Sequence, residues 1–247
     1  MRALALTFDN LGEAADDERG APPRAEPHPS VTDVLPWLLA ALDERGLRAT
    51  FFVEGINAQR YPDALRAIVA RGHEIGCHAW RHERWDGLGP EAEARTLERA
   101  LRALRALELD VRAFRPPGGE LNAGTPALLR AHGIDWCSPR GTHAERRPDG
   151  LAILPFAWPL VDAYHRQEHF AALREAQGDA PAPLDPAATA ARLEAELARA
   201  ELPTCLILHP FLAADAGGAA ALRHVLDVVA RLDVAVGPGG PIARALS

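Results

Sequence analysis

Short apolar blocks of strand character alternate with longer blocks of helical character along the whole chain, and that alternation most narrows its fold. The strand-like blocks are residues 3–8, 49–53, 74–78, 111–114, 134–137, 151–156, 205–208 and 234–236, runs too short for helices and bounded by turn-forming residues. Between them, Thr32 opens VLPWLLAALDER, which closes at Gly46, and Pro62 opens DALRAIVAR, which closes at Gly72, the start and stop marks of helices. A third helix is predicted from Pro90, where Leu97, Leu101, Leu104 and Leu107 fall on one face. Others are predicted over 125–132, 186–201 and 218–232. Strands joined by single helices pair in parallel through right-handed crossovers. The expected fold is therefore α/β, a closed or nearly closed barrel of seven or eight β/α units, with an open doubly wound sheet as the alternative. A chain of 247 residues suits one such domain spanning 1–247.

Three segments interrupt the alternation: 12–30, rich in Pro, Asp and Glu, then 139–150 and 177–186. The first two each follow a strand directly, so in a parallel barrel they would rise from the rim where strand C-termini build active sites. They are candidate lids, or surface loops with no part in function. The same geometry singles out polar residues that end strands. Asp9 and Asn10 follow LALTF, His78 follows HEIGC, Arg115 follows VRAF, Asp135 lies within GIDWC and His209 follows CLIL. Carboxylate, guanidinium and imidazoles drawn into one cleft form a catalytic composition. His78 and His82 also make an HxxxH spacing, and a turn after a strand can aim two imidazoles at one cation. A chain with ten histidines can equally produce that spacing as two surface residues.

The net charge of −7, without a dense Lys/Arg cluster, argues against nucleic acid or an anionic membrane as partner. No apolar run approaches the roughly 18 to 20 residues that a membrane-spanning helix needs. MRALALTFDN runs into a strand without the apolar core or cleavage site of a signal peptide, so a cytoplasmic location is expected. Cys77, Cys137 and Cys205 lie in apolar blocks without CxxC pairing and read as buried reduced thiols. Cys77, beside His78, has the alternative of a soft metal ligand.

TFDN at 7–10, GHEIGCHAWRHE at 72–83, FRPPGG at 114–119 and LILHP at 206–210 resemble, in order and approximate spacing, the motifs of the polysaccharide deacetylases, carbohydrate esterase family 4. The resemblance extends over nearly the whole chain and implies a distorted β/α barrel that hydrolyses N-acetyl groups or related amides with a bound divalent metal. By it, Asp9 corresponds to the catalytic base, Arg115 to the residue that orients and tunes that base, and His209 to the general acid. Asn10, His78 and His82 correspond to the metal-binding positions, and the implied cation is zinc, with cobalt or nickel as alternatives. Such a cation activates water and polarises the carbonyl, while a separate acid protonates the departing amine. Asn10 stands where the family usually has Asp; its amide oxygen can coordinate, but without the carboxylate charge the metal is expected to be held less tightly.

GIDWCSPRG and LPFAWPLVDAYH are similar to the allantoinase-like and peptidoglycan-deacetylase-like branch of that family. Pro116, Trp158, Asp162 and Tyr164, with His165, are candidates to line the substrate pocket, the rings stacking on substrate and Asp162 accepting hydrogen bonds. Otherwise they belong to a packed loop. Glu83 is either part of a solvated turn or a partner that holds a ligating imidazole. The implied substrate is an N-acetylated sugar or peptidoglycan fragment. The alternatives are a small cytosolic amide or ureide, and a catalytically silent barrel that binds a glycan.

Overall fold

The computed structural model describes residues 2–246 apart from 19 and 23. Its strands are β1 (Ala3–Asp9), β2 (Thr50–Val53), β3 (Glu74–Cys77), β4 (Ala113–Phe114), β5 (Trp136–Cys137), β6 (Glu145–Arg146), β7 (Ala152–Ile153), β8 (Phe156–Val161), β9 (Thr204–Leu208) and β10 (Ala235–Gly237). They form one sheet in the order β6-β7-β5-β4-β3-β2-β1-β9-β8, with β10 beside β1. The pairings are parallel except that of β6 with β7.

The two ends of this path meet. Only Leu154 and Pro155 separate β7 from β8; the Leu154 N–H donates to the Cys137 carbonyl and the Cys205 N–H to the Pro155 carbonyl, each at 2.9 Å. Residues 152–156 thus bond to β5 on one side and β9 on the other, which closes the parallel strands into a ring. This is the barrel that the alternation predicts, and the open sheet is excluded.

Strand parity divides the core in two. Leu4, Leu6, Phe8, Phe51, Val53, Ile75, Leu206 and Leu208 pack outward against helix residues such as Leu38, Leu97, Leu101 and Val225. Ala3, Ala5, Phe52, Ala113, Trp136, Cys205 and Ile207 form a separate inner cluster. In β1, ALALTFD, the parity that carries Ala3 and Ala5 inward carries Thr7 and Asp9 inward as well. The three cysteines are buried free thiols. Cys77 belongs to the outward cluster, which turns it away from the inward layer, and burial pushes its thiol up to about 12.

The helices Leu35–Glu44, Pro62–Ala70, Pro90–Arg105, Thr125–Ala131, Pro186–Leu197 and Ala216–Ala230 lie where the sequence predicts them. The first begins later than expected, because a π-helical turn, Ser30–Val34, precedes it. A helix that the sequence does not predict, Gly239–Arg244, stoppers the mouth where the strands start. Gly239 N–H donates to Thr50 Oγ1 at 2.9 Å and Gly240 N–H to Glu74 Oε2 at 3.0 Å. A Cβ on Gly239 would lie 2.1 Å from the Trp136 ring, so this close approach requires glycine.

Segment 139–150 is not a lid. Its β6 runs back antiparallel to β7, and Arg146 donates to the carbonyls of Ala243 at 2.8 Å and Leu246 at 3.1 Å at the stoppered mouth. A strand that returns along its neighbour cannot rise over the opposite rim. The described residues of segment 12–30 do leave from that rim and are strapped down: Gly12 N–H donates to Ser30 Oγ at 2.9 Å, His28 N–H to the Tyr61 hydroxyl at 2.9 Å, and Arg60 to Asp17 at 2.9 Å. Among the described residues no helix is long and apolar enough to cross a membrane.

Candidate active site

Strand register builds the site. Val53 pairs with Cys77, Cys77 with Phe114 and Phe114 with Cys137. The next residue on each strand, Glu54, His78, Arg115 and Ser138 respectively, therefore shares one inward layer at the C-terminal rim. Thr7 pairs with Ile207, so Asp9 and His209, two residues further on, belong to the same rim. These residues are all buried.

Arg115 is the hub. Its Nη1 donates to Asp9 Oδ1 at 2.6 Å and to Thr7 Oγ1 at 2.8 Å, and its Nη2 to Ser138 Oγ at 2.9 Å. The guanidinium lies over the Phe52 ring, 4.2 Å from its centroid. A planar donor held on both edges and one face has little freedom, so one Asp9 oxygen is fixed. The other, Oδ2, stands 3.9 Å from His78 Nε2.

His78 Nδ1 bonds to the Arg115 carbonyl at 2.8 Å; as the carbonyl only accepts, Nδ1 carries the proton and Nε2 presents a lone pair. Burial, reinforced by neighbouring His82, holds the His78 pKa well below the usual imidazole range, which keeps the ring neutral. The His78 and His82 rings lie 4.8 Å apart at 65°. The turn between them is not helical: Ala79 and His82 have φ of 62° and 65°. Glu83 Oε2 accepts from the Trp80 and Arg81 N–H groups at 3.0 and 2.9 Å. It clamps the turn, while the Arg115 carbonyl holds the His78 imidazole.

Asn10, at φ 57°, is 5% exposed, and its Oδ1 has no hydrogen-bond partner. A buried carbonyl oxygen without a donor is costly, and a cation would satisfy it. Among the described residues no three His, Cys, Asp or Glu side chains gather as a metal-binding group. The His78 and His82 imidazoles and the Asn10 amide oxygen are of donor types that a divalent cation accepts.

At the end of β9, the strand next to β1, His209 Nδ1 lies 2.5 Å from Asp162 Oδ1, and the His209 N–H donates to Asp162 Oδ2 at 2.8 Å. Burial by itself would lower the His209 pKa, but the charge and hydrogen bond of Asp162, with Asp9 beyond, outweigh it and raise the pKa. The imidazolium is thereby favoured next to an ion-paired carboxylate and a neutral imidazole. Such a cleft can accept a proton at one point and deliver one at another.

Several expected pocket residues have other employment. Asp162 spends both oxygens on His209, with Ala163 N–H adding 2.6 Å to Oδ1, so it orients that ring and does not face a substrate. Tyr164 is fully buried and its hydroxyl donates to Asp179 at 2.7 Å. His165 Nε2 bonds to the Pro159 carbonyl at 3.0 Å. Trp158 is half-buried and packs on Phe156, Tyr164 and Phe170. Pro116 is buried and opens the turn in which Gly119 N–H donates to its carbonyl at 2.9 Å. Asp135 precedes β5 and pairs with Arg130 at 3.0 Å with its side chain 55% exposed, so it lies at the opposite mouth. Three rim residues were not anticipated: Thr7, Ser138 and Glu54. Glu54 follows FFV and meets the same strand-ending criterion that selects Asp9 and His78. Burial raises its pKa well above the usual carboxylate range, with the Asp9 charge adding to the effect.

A family model described as polysaccharide deacetylase matches residues 1–137. A chitooligosaccharide deacetylase of Sinorhizobium fredii is 37% identical over 170 residues, 60% of this chain and 78% of that protein. Chitin deacetylase 1 of Saccharomyces cerevisiae is 36% identical over 96 residues, 38% of this chain; the match spans only 32% of the yeast protein. Among solved structures, a Mycobacterium smegmatis protein assigned as a polysaccharide deacetylase superposes with a TM-score of 0.80 at 30% identity, covering 99% of this chain and 89% of that one.

Proposed function

Because the chain belongs to the polysaccharide deacetylase family, we propose that it removes acetyl groups from the amide nitrogen of an acetylated amino sugar, in an oligosaccharide or peptidoglycan-type substrate. The observation that carries this reading is the separation of two proton-handling pairs on one rim, Asp9 with Arg115 and His209 with Asp162. Asp9 is the base: its Oδ1 is held by Arg115, which leaves Oδ2 on the His78 side to take a proton from water. His209 is the acid, charged through Asp162, and it hands a proton to the departing amine. Arg115 and Asp162 are positioning residues. His78, His82 and Asn10 would hold a divalent cation, which supplies Lewis acidity and an acidified water. The neutral His78, with its proton committed to the Arg115 carbonyl, is in the tautomer such a ligand requires.

The substrate class comes from the relatives that are named for chitooligosaccharide and chitin. It is tested by incubating the protein with N-acetylated chito-oligosaccharides and peptidoglycan fragments, with added zinc or with chelator. Free acetate and the matching amine should appear, faster with zinc. Absence of acetate from every substrate under both conditions would refute the reading.

A further inference from the structure

An arginine that meets a carboxylate frequently forms a fork, two parallel N–H groups on two oxygens. Arg115 does not do so with Asp9. Its Nη1 reaches Oδ1 at 2.6 Å, and among the described residues no group donates a hydrogen bond to Oδ2. The rest of the guanidinium is engaged elsewhere. Nε and Nη2 both donate to Ser138 Oγ, at 3.3 and 2.9 Å, while Nη1 divides between Asp9 and Thr7 Oγ1, the latter at 2.8 Å. Ser138 comes to this place by register, since Phe114 pairs with Cys137 and the next residues, Arg115 and Ser138, are neighbours across β4 and β5.

Both hydroxyls are arranged as acceptors. The Thr7 O–H donates to the Leu206 carbonyl at 2.7 Å, and the Ser138 O–H to Cys205 Sγ at 3.4 Å, so each leaves lone pairs for the arginine. The Cys205 thiol in turn donates to the Leu154 carbonyl at 3.5 Å, and Thr7, Ser138 and Cys205 are all 0% exposed. A guanidinium clasped along its Nε–Nη2 edge and laid on the Phe52 ring cannot turn in its plane to bring a second N–H onto Oδ2. We propose that Ser138 is a positioning residue for the reaction: by holding that edge of Arg115 it keeps the Asp9–Arg115 pair to a single hydrogen bond, which leaves Asp9 Oδ2 open to take the proton. The inference rests on the reading of Asp9 as the base. Without Ser138, two buried N–H groups lose their acceptor, a state that costs free energy, and the oxygen open to them is Oδ2 of the carboxylate that Arg115 already holds. A fork there would commit both oxygens and silence the base.

The test combines crystal structures and steady-state kinetics of Ser138→Ala and of Ser138→Cys, a second variant that nearly keeps the side-chain volume but offers only a weak acceptor. In the variant structures the Arg115 guanidinium should donate to both Asp9 oxygens. With an N-acetylated chito-oligosaccharide and added zinc, kcat should fall about a hundredfold, the scale of a misplacement of about 1 Å. KM should stay near wild type, because the fully buried Ser138 acts on the substrate only through Arg115 and Asp9. In an Arg115→Lys background, where the ammonium has no such edge, Ser138→Ala should add little further loss. A guanidinium that leaves Oδ2 open in the variants, an unchanged kcat, a KM that rises as kcat falls, or full additivity with Arg115→Lys would overturn the assignment. Should the wild type release no acetate, the deacetylase reading fails by itself, and the position of Arg115 in the variant structures still decides for or against Ser138.

Discussion

His209 carries the sharpest residue-level consequence, because its charge is set by a neighbour that can be changed alone. Its raised pKa means that the protonated acid persists to higher pH than a free imidazole of about 6.5 would allow. Removing the Asp162 charge takes away the largest influence that opposes burial, so the folded pKa falls. Asp162→Asn should therefore move the alkaline limb of the kcat profile to lower pH and reduce kcat by about a hundredfold; an unmoved limb would show that Asp162 does not act through His209. The side chains that meet at the rim were legible where a motif and a strand end coincide, as at Asp9, His78, Arg115 and His209. The role of Asp162 was not, because it depends on the pairing of Val161 with Ile207, a register across β8 and β9 that no local pattern announces. Glu54 was visible by the same rule as Asp9, but in FFVEG it follows a short block outside any of the recognised motifs.

At the scale of elements, the stopper helix Gly239–Arg244 makes a different kind of demand. Gly239→Val would drive side-chain atoms into the Trp136 ring, already 2.1 Å from an added Cβ, and overpacking of this type costs about 1–3 kcal/mol. Urea denaturation should show that loss, while kcat per folded molecule stays near wild type because the stopper closes the mouth opposite the site. Equal stability would mean that the helix does not seal the barrel. The sequence GGPIAR reads as a loop, and it is helical here because its two glycines admit close contact with Trp136 and Glu74. Likewise β6 consists of two exposed residues, Glu145–Arg146, too short to carry a period, which is why 139–150 could pass for a lid. The helices were readable because their marks are local: Pro62 and Pro90 stand at first turns, and Asp185 caps its helix by accepting from Ala188 N–H at 2.8 Å.

For the molecule as a whole, parity separates what holds the barrel from what it does: leucines face the helices, and the inner layer passes from small and aromatic residues to the polar rim. The buried neutral histidines make global stability depend on pH. Burial, with Arg48 nearby, lowers the His73 pKa from 6.5 to about 4, and His78 and His165 shift in the same direction. Between those values the unfolded chain binds a proton that the folded chain does not, so stability falls as pH drops from about 6.5 toward 4. Urea midpoints measured across that window should decline, less steeply in His73→Asn; a flat wild-type profile would contradict the burial of these rings in neutral form. A base at the end of β1 and an acid at the end of the neighbouring β9 are the proposed working groups, and acetate release from an N-acetylated chito-oligosaccharide by Asp9→Asn and His209→Ala tests that pairing most directly. Each folded, zinc-supplied variant should lose about a hundredfold or more in kcat, whereas near-wild-type release by either one would contradict the assignment.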